Sequence, residues 1–328
     1  MLLATSPAAT DRHPPAFGAV SAMASRGELA YRLDTRHAGT RDVQIRWELC
    51  GAEGAPLLVV AGGISAHRHV IAHAADLAAG WWQAQAGLFG RHRLLAIDWI
   101  GDGDGFDAPI DSADQADAIA AVMAALGLPA ARAFVGASYG AMVGLQFAAR
   151  HPGRLHSLVA ISGGHRPHPW ASALRSVQRK VIELGGDADP ASGVALARQL
   201  AMLSYRTPQE FAERFDAPVV LRDGVAACAA DDYLAHCGKK GSARFDARSY
   251  LRLSESIDLH RIEPETVRVP LGVIAVEGDL LVPPDLLAEL AVRAPDAWLQ
   301  TLSSRYGHDA FLKETTAISA ALTAALEA

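Results

Sequence analysis

The chain has 328 residues, half of them hydrophobic, enough for one large domain or two small ones around a sizeable core. A formal net charge of −6 leaves no basic excess to neutralise phosphates, which excludes a general nucleic-acid binder. Cys50, Cys228 and Cys237 show no C-x-x-C spacing, so neither a disulfide framework nor a metal site is expected, and reduced thiols in the cytoplasm are.

Residues 1–22 lack a basic segment followed by a solid apolar core and read as a flexible tail rather than a signal peptide. No apolar run approaches the ~18 residues of a membrane span. Short β-rich runs then recur: VQIRWELC (43–50), LLVVAG (57–62), LLAID (94–98), AFVGA (133–137) and LVAIS (158–162). Segments with helical periodicity lie between them, at 113–126 and 139–150. Apolar strands alternating with helices predict a mainly parallel sheet covered on both faces, with ligands at its carboxyl edge. Residues 23–165 are the first part of this α/β core.

The alternation stops over residues 166–265, which are rich in helix formers and read as an inserted helical lid. Within it, Thr207, Pro208 and Glu210 have the spacing of N-cap, N1 and N3, a capping box. The β pattern resumes with LGVIAVEG (271–278) and WLQTL (298–302), so residues 266–328 complete the core.

The stretch FVGASYGAMVG (134–144) sets Ser138 in a G-x-S-x-G frame between a strand and a helix. Gly136, Ala137, Gly140, Ala141 and Gly144 are small enough for the tight turn of a nucleophile elbow, the mark of the α/β-hydrolase fold. The elbow exposes the hydroxyl at the sheet edge and aims the Tyr139 amide at a developing oxyanion. A nucleophilic serine needs a base and an orienter, in the chain order serine, acid, histidine. His308 follows the last strand, in SSRYGHDAFL, and Asp279 follows the strand before it. Asp258 and Asp285 compete for the acid, and Asp285 ranks lower because it lies beyond a Pro-Pro in the next helix. The second oxyanion donor belongs to the loop GGISAHRH, where Gly63 or Ile64 offers an N–H.

A triad defines covalent acyl chemistry but not the acceptor. Here the segments GASYGAMVGLQFAARHP (136–152), LARQLAMLSYRTPQEFAERF (196–215), GDLLVPPDLLAELA (278–291) and YGHDAFL (306–312) matter. With GWW at 80–82, PWASALRSVQRKVIE at 169–183 and FDARSYLRLSESID at 245–258, they resemble the homoserine O-acyltransferase family across most of residues 45–315. The resemblance implies an acyltransferase of methionine biosynthesis that takes acyl-CoA as co-substrate and keeps no permanent cofactor. It implies Ser138 as nucleophile, His308 as base and Asp279 as orienter. It also implies that Arg206 grips the carboxylate of L-homoserine and that Asp309 receives its ammonium, roles that fit a guanidinium and a carboxylate. Read alone, Arg206 is a solvated or capping arginine and Asp309 a helix cap.

The implied mechanism is ping-pong transfer, with the helical insert excluding water; Trp81 and Trp82 read equally well as walls of the pantetheine channel and as plain core aromatics. The family also suggests a homodimer through the insert. Family members that prefer succinyl-CoA often carry an arginine two positions after the triad aspartate. Leu281 stands there, which favours acetyl-CoA, although Arg68 or Arg305 offers a cation from elsewhere. The elbow GASYGAMVG and the loop AGGISAHRH depart from the family's usual GGSMGGMQ and HALTG-type sequences and place the chain in a divergent branch. The rival readings are a serine O-acyltransferase, an esterase or lactonase on the same triad, and a non-enzymatic binding protein, which the complete triad disfavours.

Overall fold

The computed structural model describes residues 24–186 and 188–327; the expected tail at 1–22 lies outside them. The strands are β1 (Ser25–Thr35), β2 (Gly39–Cys50), β3 (Leu57–Ala61), β4 (Arg93–Ile97), β5 (Ala133–Ala137), β6 (Leu158–Ile161), β7 (Val220–Arg222), β8 (Val225–Ala227), β9 (Leu271–Val276) and β10 (Ala297–Leu302). Eight of them form one sheet in the order β1-β2-β4-β3-β5-β6-β9-β10, and β7 and β8 make a separate hairpin. From β4 to β10 every pairing is parallel, while β2 runs antiparallel to β1 and β4.

The central strands are apolar throughout because both faces are covered. All residues of β3, β5, β6 and β9 are buried. Successive side chains go to opposite faces. Val59 and Ala61 of β3 join one core layer, and Leu58 and Val60 join the other. The sequence reading missed β1. Its residues, SRGELAYRLDT, are mostly exposed and give no apolar run, and only pairing along the length of β2 makes them a strand.

The core helices are α1 (Ala86–Phe89), α2 (Ser112–Ala125) and α3 (Tyr139–Arg150). Between β6 and β9 come α4 (Pro169–Gly185), α5 (Pro190–Tyr205), α6 (Pro208–Phe215), α7 (Asp231–Arg244) and α8 (Ala247–Leu259). The chain closes with α9 (Pro284–Arg293), α10 (Ala310–Lys313) and α11 (Thr315–Glu327). At α6 the expected capping box is only half made. Thr207 Oγ1 accepts the Glu210 N–H at 3.1 Å, but the Glu210 carboxylate turns away to Arg206 and Arg214. Two guanidiniums outbid one neutral amide for a buried carboxylate.

The inserted helices are tied to one another and to the core by polar contacts. Arg175 and Arg179 of α4 both reach Asp258 of α8, at 2.6 and 2.7 Å. This engages Asp258 away from His308, so it is not the triad acid. The Tyr139 hydroxyl, buried at the start of α3, lies 2.5 Å from Ser256 Oγ of α8. The insert is thus anchored to the residue that follows Ser138.

Candidate active site

Ser138 sits between β5 and α3 with φ 56° and ψ −121°, in the left-handed region that a non-glycine residue enters only under constraint. The neighbouring glycines are obligatory. A Cβ on Gly136 would lie 2.4 Å from the Gly140 carbonyl oxygen, and one on Gly140 would lie 2.2 Å from that of Ala61. The helix start is therefore pressed against β3, and Gly140 N–H donates to Gly62 O at 2.8 Å.

The three residues expected to act together do meet. Ser138 Oγ lies 2.7 Å from His308 Nε2, and His308 Nδ1 lies 2.8 Å from Asp279 Oδ2. The carboxylate must accept, so Nδ1 carries the proton and Nε2 accepts from the serine. Asp279 is held in turn by the N–H groups of Leu281 and Val282, both donating to Oδ1 at 2.9 Å. Burial works against charge on His308, but Asp279 more than offsets it, and the imidazole pKa is raised above its ordinary value. The competitor Asp285 lies in the first turn of α9.

Gly63 lies beside the nucleophile: a Cβ there would be 3.9 Å from Ser138 Oγ. Its carbonyl accepts from Trp99 Nε1 at 3.0 Å and from Ala66 N–H at 2.9 Å. Those two bonds hold the peptide plane that carries the Ile64 N–H. Ile64 and Tyr139 both line the cavity above Ser138.

Arg206 and Asp309 also come together. Arg206, at the C-cap of α5, places Nη2 3.1 Å from Asp309 Oδ2 and Nη1 3.3 Å from Glu210 Oε2. Burial raises the Asp309 pKa against the opposing pull of Arg206. The cavity they border measures about 530 Å³. It is lined by Arg175, Arg198, Arg206, Lys240, Arg244 and Lys313, and among the described residues Asp309 is its only carboxylate. In a chain of net charge −6 this is a concentrated positive field, suited to anionic ligands.

A family profile described as the alpha/beta hydrolase fold matches residues 56–315. A homoserine O-succinyltransferase of Xanthomonas campestris pv. campestris is 53% identical, over 99% of this chain and 90% of its own. The chain belongs to the homoserine O-acyltransferase family. A homoserine O-acetyltransferase of Trichormus variabilis is 34% identical over 61% of this chain and 60% of its own. The crystal structure of homoserine o-acetyltransferase from Staphylococcus aureus superposes with a TM-score of 0.78 at 22% identity, covering 92% of this chain and 94% of that one, and shares the fold.

As a member of this family the chain is an acyltransferase, and its cavity holds residues that the sequence reading passed over. Arg198 and Tyr205 lie seven positions apart on α5, two turns along one face. The Tyr205 ring centroid is 5.9 Å from that of His308, and the Tyr205 hydroxyl accepts from Arg198 Nη1 at 3.2 Å. The spacing of LARQLAMLSY was the available signal. Of the four lining arginines, Arg175 pairs with Asp258, Arg206 with Glu210 and Asp309, and Arg244 with Asp102. Among the described residues Arg198 pairs with no carboxylate, and its Nε is buried without a hydrogen-bond partner.

Other expectations resolve differently. Trp81 lines the cavity, but Trp82 does not: it is core, with Nε1 donating to Phe311 O at 2.9 Å. Its indole is the largest fully buried side chain and packs with Phe89 and Phe311. Arg68 lies 3.5 Å from Asp98 and Arg305 2.9 Å from Glu213, and neither lines the cavity. Leu281 does line it.

Proposed function

We propose that the chain acylates the side-chain hydroxyl of L-homoserine from acyl-CoA by a ping-pong route through acyl-Ser138, and that succinyl-CoA is its donor. The observation that carries this reading is the cationic cavity above a Ser-His-Asp relay. It suits the phosphates of CoA and two ligand carboxylates, one on homoserine and one on a succinyl group.

The Ser138 proton passes to His308 Nε2 as Oγ attacks the thioester carbonyl. The oxyanion is received by the N–H groups of Tyr139 and, from its pinned peptide plane, Ile64 rather than Gly63. The C–S bond breaks, and His308 returns its proton to the leaving thiolate. Homoserine then binds with its carboxylate at Arg206 and its ammonium at Asp309. Its hydroxyl gives a proton to His308 and attacks the acyl carbon, and Ser138 regains that proton as the acyl–Oγ bond breaks. The helices over the cavity keep water from the acyl-enzyme.

For the donor, Leu281 alone points to acetyl-CoA. Arg198 points the other way, as a lining cation without a carboxylate partner, and the 53% identical relative is named for succinyl transfer. The same reading places the reaction in cytoplasmic methionine biosynthesis. It also retains a homodimer through the inserted helices, where the exposed Leu184 and Leu196 support a contact.

The test is release of free CoA thiol from succinyl-CoA or acetyl-CoA, with homoserine, with serine or with no acceptor. Homoserine-dependent release that is faster with succinyl-CoA is the expected result. Release that ignores the amino acid would overturn the transferase reading in favour of an esterase. A serine preference would change the acceptor.

A further inference from the structure

Glu48 and Cys50 are two apart on β2, so both side chains leave the same face of the strand. Facing them is the loop that starts at Gly62 beside the nucleophile and carries His69 and His73. All four residues are buried, and Glu48 is only 2% exposed. The Glu48 carboxylate, Cys50 Sγ and His73 ring nitrogen lie within 4.8 Å of one another. Glu48 Oε1 is 3.2 Å from His73 Nε2 and 3.1 Å from His69 Nδ1.

Hydrogen bonding satisfies only part of this group: His69 Nδ1 lies 3.1 Å from Glu48 Oε1 in a hydrogen bond, whereas the His73 side chain makes none. Neither ring nitrogen of His73 has a hydrogen-bond partner, although the ring is buried. His69 Nε2 donates to Ala78 O at 2.8 Å, and Arg26 Nη2 approaches Nδ1 at 3.0 Å. Arg26 Nε also covers the other carboxylate oxygen, Oε2. Glu48 Oε1 is left between His69 Nδ1 and His73 Nε2, and no hydrogen bond fixes which nitrogen of His73 carries the proton. An imidazole nitrogen, a carboxylate oxygen and a sulfur converging among buried side chains are the donor set of a borderline-soft dication. Tetrahedral coordination with bonds of about 2.0–2.3 Å puts neighbouring donors roughly 3.3–3.8 Å apart, close to the spacing of Glu48 and His73.

We infer that Glu48, Cys50 and His73 form a structural site for a divalent transition-metal ion of the zinc class, with His69 or water in the fourth position. The ion joins β2 to the loop that carries Gly63 and Ile64, and so braces that loop from outside the cavity. The carboxylate and the thiolate face its two positive charges, and Asp76 shares the Arg26 guanidinium that also lies on Glu48. The C-x-x-C spacing sought in the sequence gives no sign of this site, because its ligands come from a strand and a distant loop.

The test is titration of the purified full-length chain with cobalt(II) alone, read by absorbance. Expected are one cobalt per chain, a thiolate-to-cobalt charge-transfer band, and displacement by one equivalent of zinc. The band is expected to persist when Cys228 and Cys237 are both changed to Ser, which leaves Cys50 the only thiol. It is expected to vanish in Cys50→Ser, while His73→Ala binds at least tenfold more weakly. Absence of stoichiometric uptake by the unmodified chain, or loss of the band in the double serine variant, would overturn the site even where Cys50→Ser fails to fold.

Discussion

Arg206 and Asp309 face each other at 3.1 Å, the first buried, the second half-buried, and each the other's counter-ion. A zwitterionic amino acid presents the same two charges in reverse. Binding it exchanges one ion pair for two, so neither protein charge is left bare in the low-dielectric cavity at any stage. Glu210 holds the guanidinium from the other side, and on the proposed function it keeps Arg206 in place while Asp309 pairs with the ammonium.

Asp309→Asn removes the ammonium partner and leaves the first half-reaction intact. Its kcat/KM for homoserine is expected to fall roughly 10²-fold, ~2.7 kcal/mol. The burst of thiol from acyl-CoA in single-turnover experiments is expected to persist. Loss of the burst as well would place Asp309 in acylation rather than in acceptor binding.

Arg198→Met is expected to discriminate between donors. Removing a charge-assisted bond to the succinyl carboxylate, worth about 1.5–3 kcal/mol, lowers kcat/KM for succinyl-CoA by one to two orders of magnitude. Acetyl-CoA has no such carboxylate and should be much less affected. An equal loss with both donors would give Arg198 a structural role instead.

The pH profile of acylation follows from His308. A base must be neutral, and Asp279 raises the His308 pKa. Activity is therefore lost as pH falls through a value above the ordinary ~6.5 of histidine. Asp279→Asn is expected to move that acid limb downward and to lower the plateau. The measurement is kcat/KM for acyl-CoA from pH 5 to 9.

Tyr139 carries the amide proposed for the oxyanion and, separately, a hydroxyl bonded to Ser256. Tyr139→Phe removes the bond to Ser256 and is expected to lower stability by about 1 kcal/mol, while kcat stays within a few-fold. Thermal melts beside initial rates distinguish the two roles. A large loss of kcat at unchanged melting temperature would bring the hydroxyl into the chemistry.

His260 ties stability to pH on its own. It is fully buried between Ser112 Oγ at 2.6 Å and Gly164 O at 3.1 Å, and burial pushes its pKa to about 3. The folded state keeps it neutral, whereas the unfolded chain protonates near 6.5. Its contribution is thus complete above pH 6.5 and is lost as pH falls toward 3, by up to ~1.4 kcal/mol per unit. Urea midpoints between pH 7 and 4 are expected to fall less steeply in His260→Gln than in the parent chain.

The elbow, the alternating strands and the order of Ser138, Asp279 and His308 were legible in the sequence by itself. Each rests on local chemistry: small residues where the backbone must turn back on itself, apolar runs where both faces are covered, and loops that follow strands in a known order. The same locality explains what was missed. β1 is a strand only because β2 is beside it, whereas Glu210 leaves its expected capping bond for Arg206 and Arg214, each four positions away, a local competition that the capping pattern overlooked. That Arg198 has no carboxylate partner while Arg206 has two, and that Glu48, Cys50 and His73 converge, was decided by tertiary structure alone. Charge pairing and ligand convergence depend on distances between residues far apart in the chain, and no spacing rule encodes those distances.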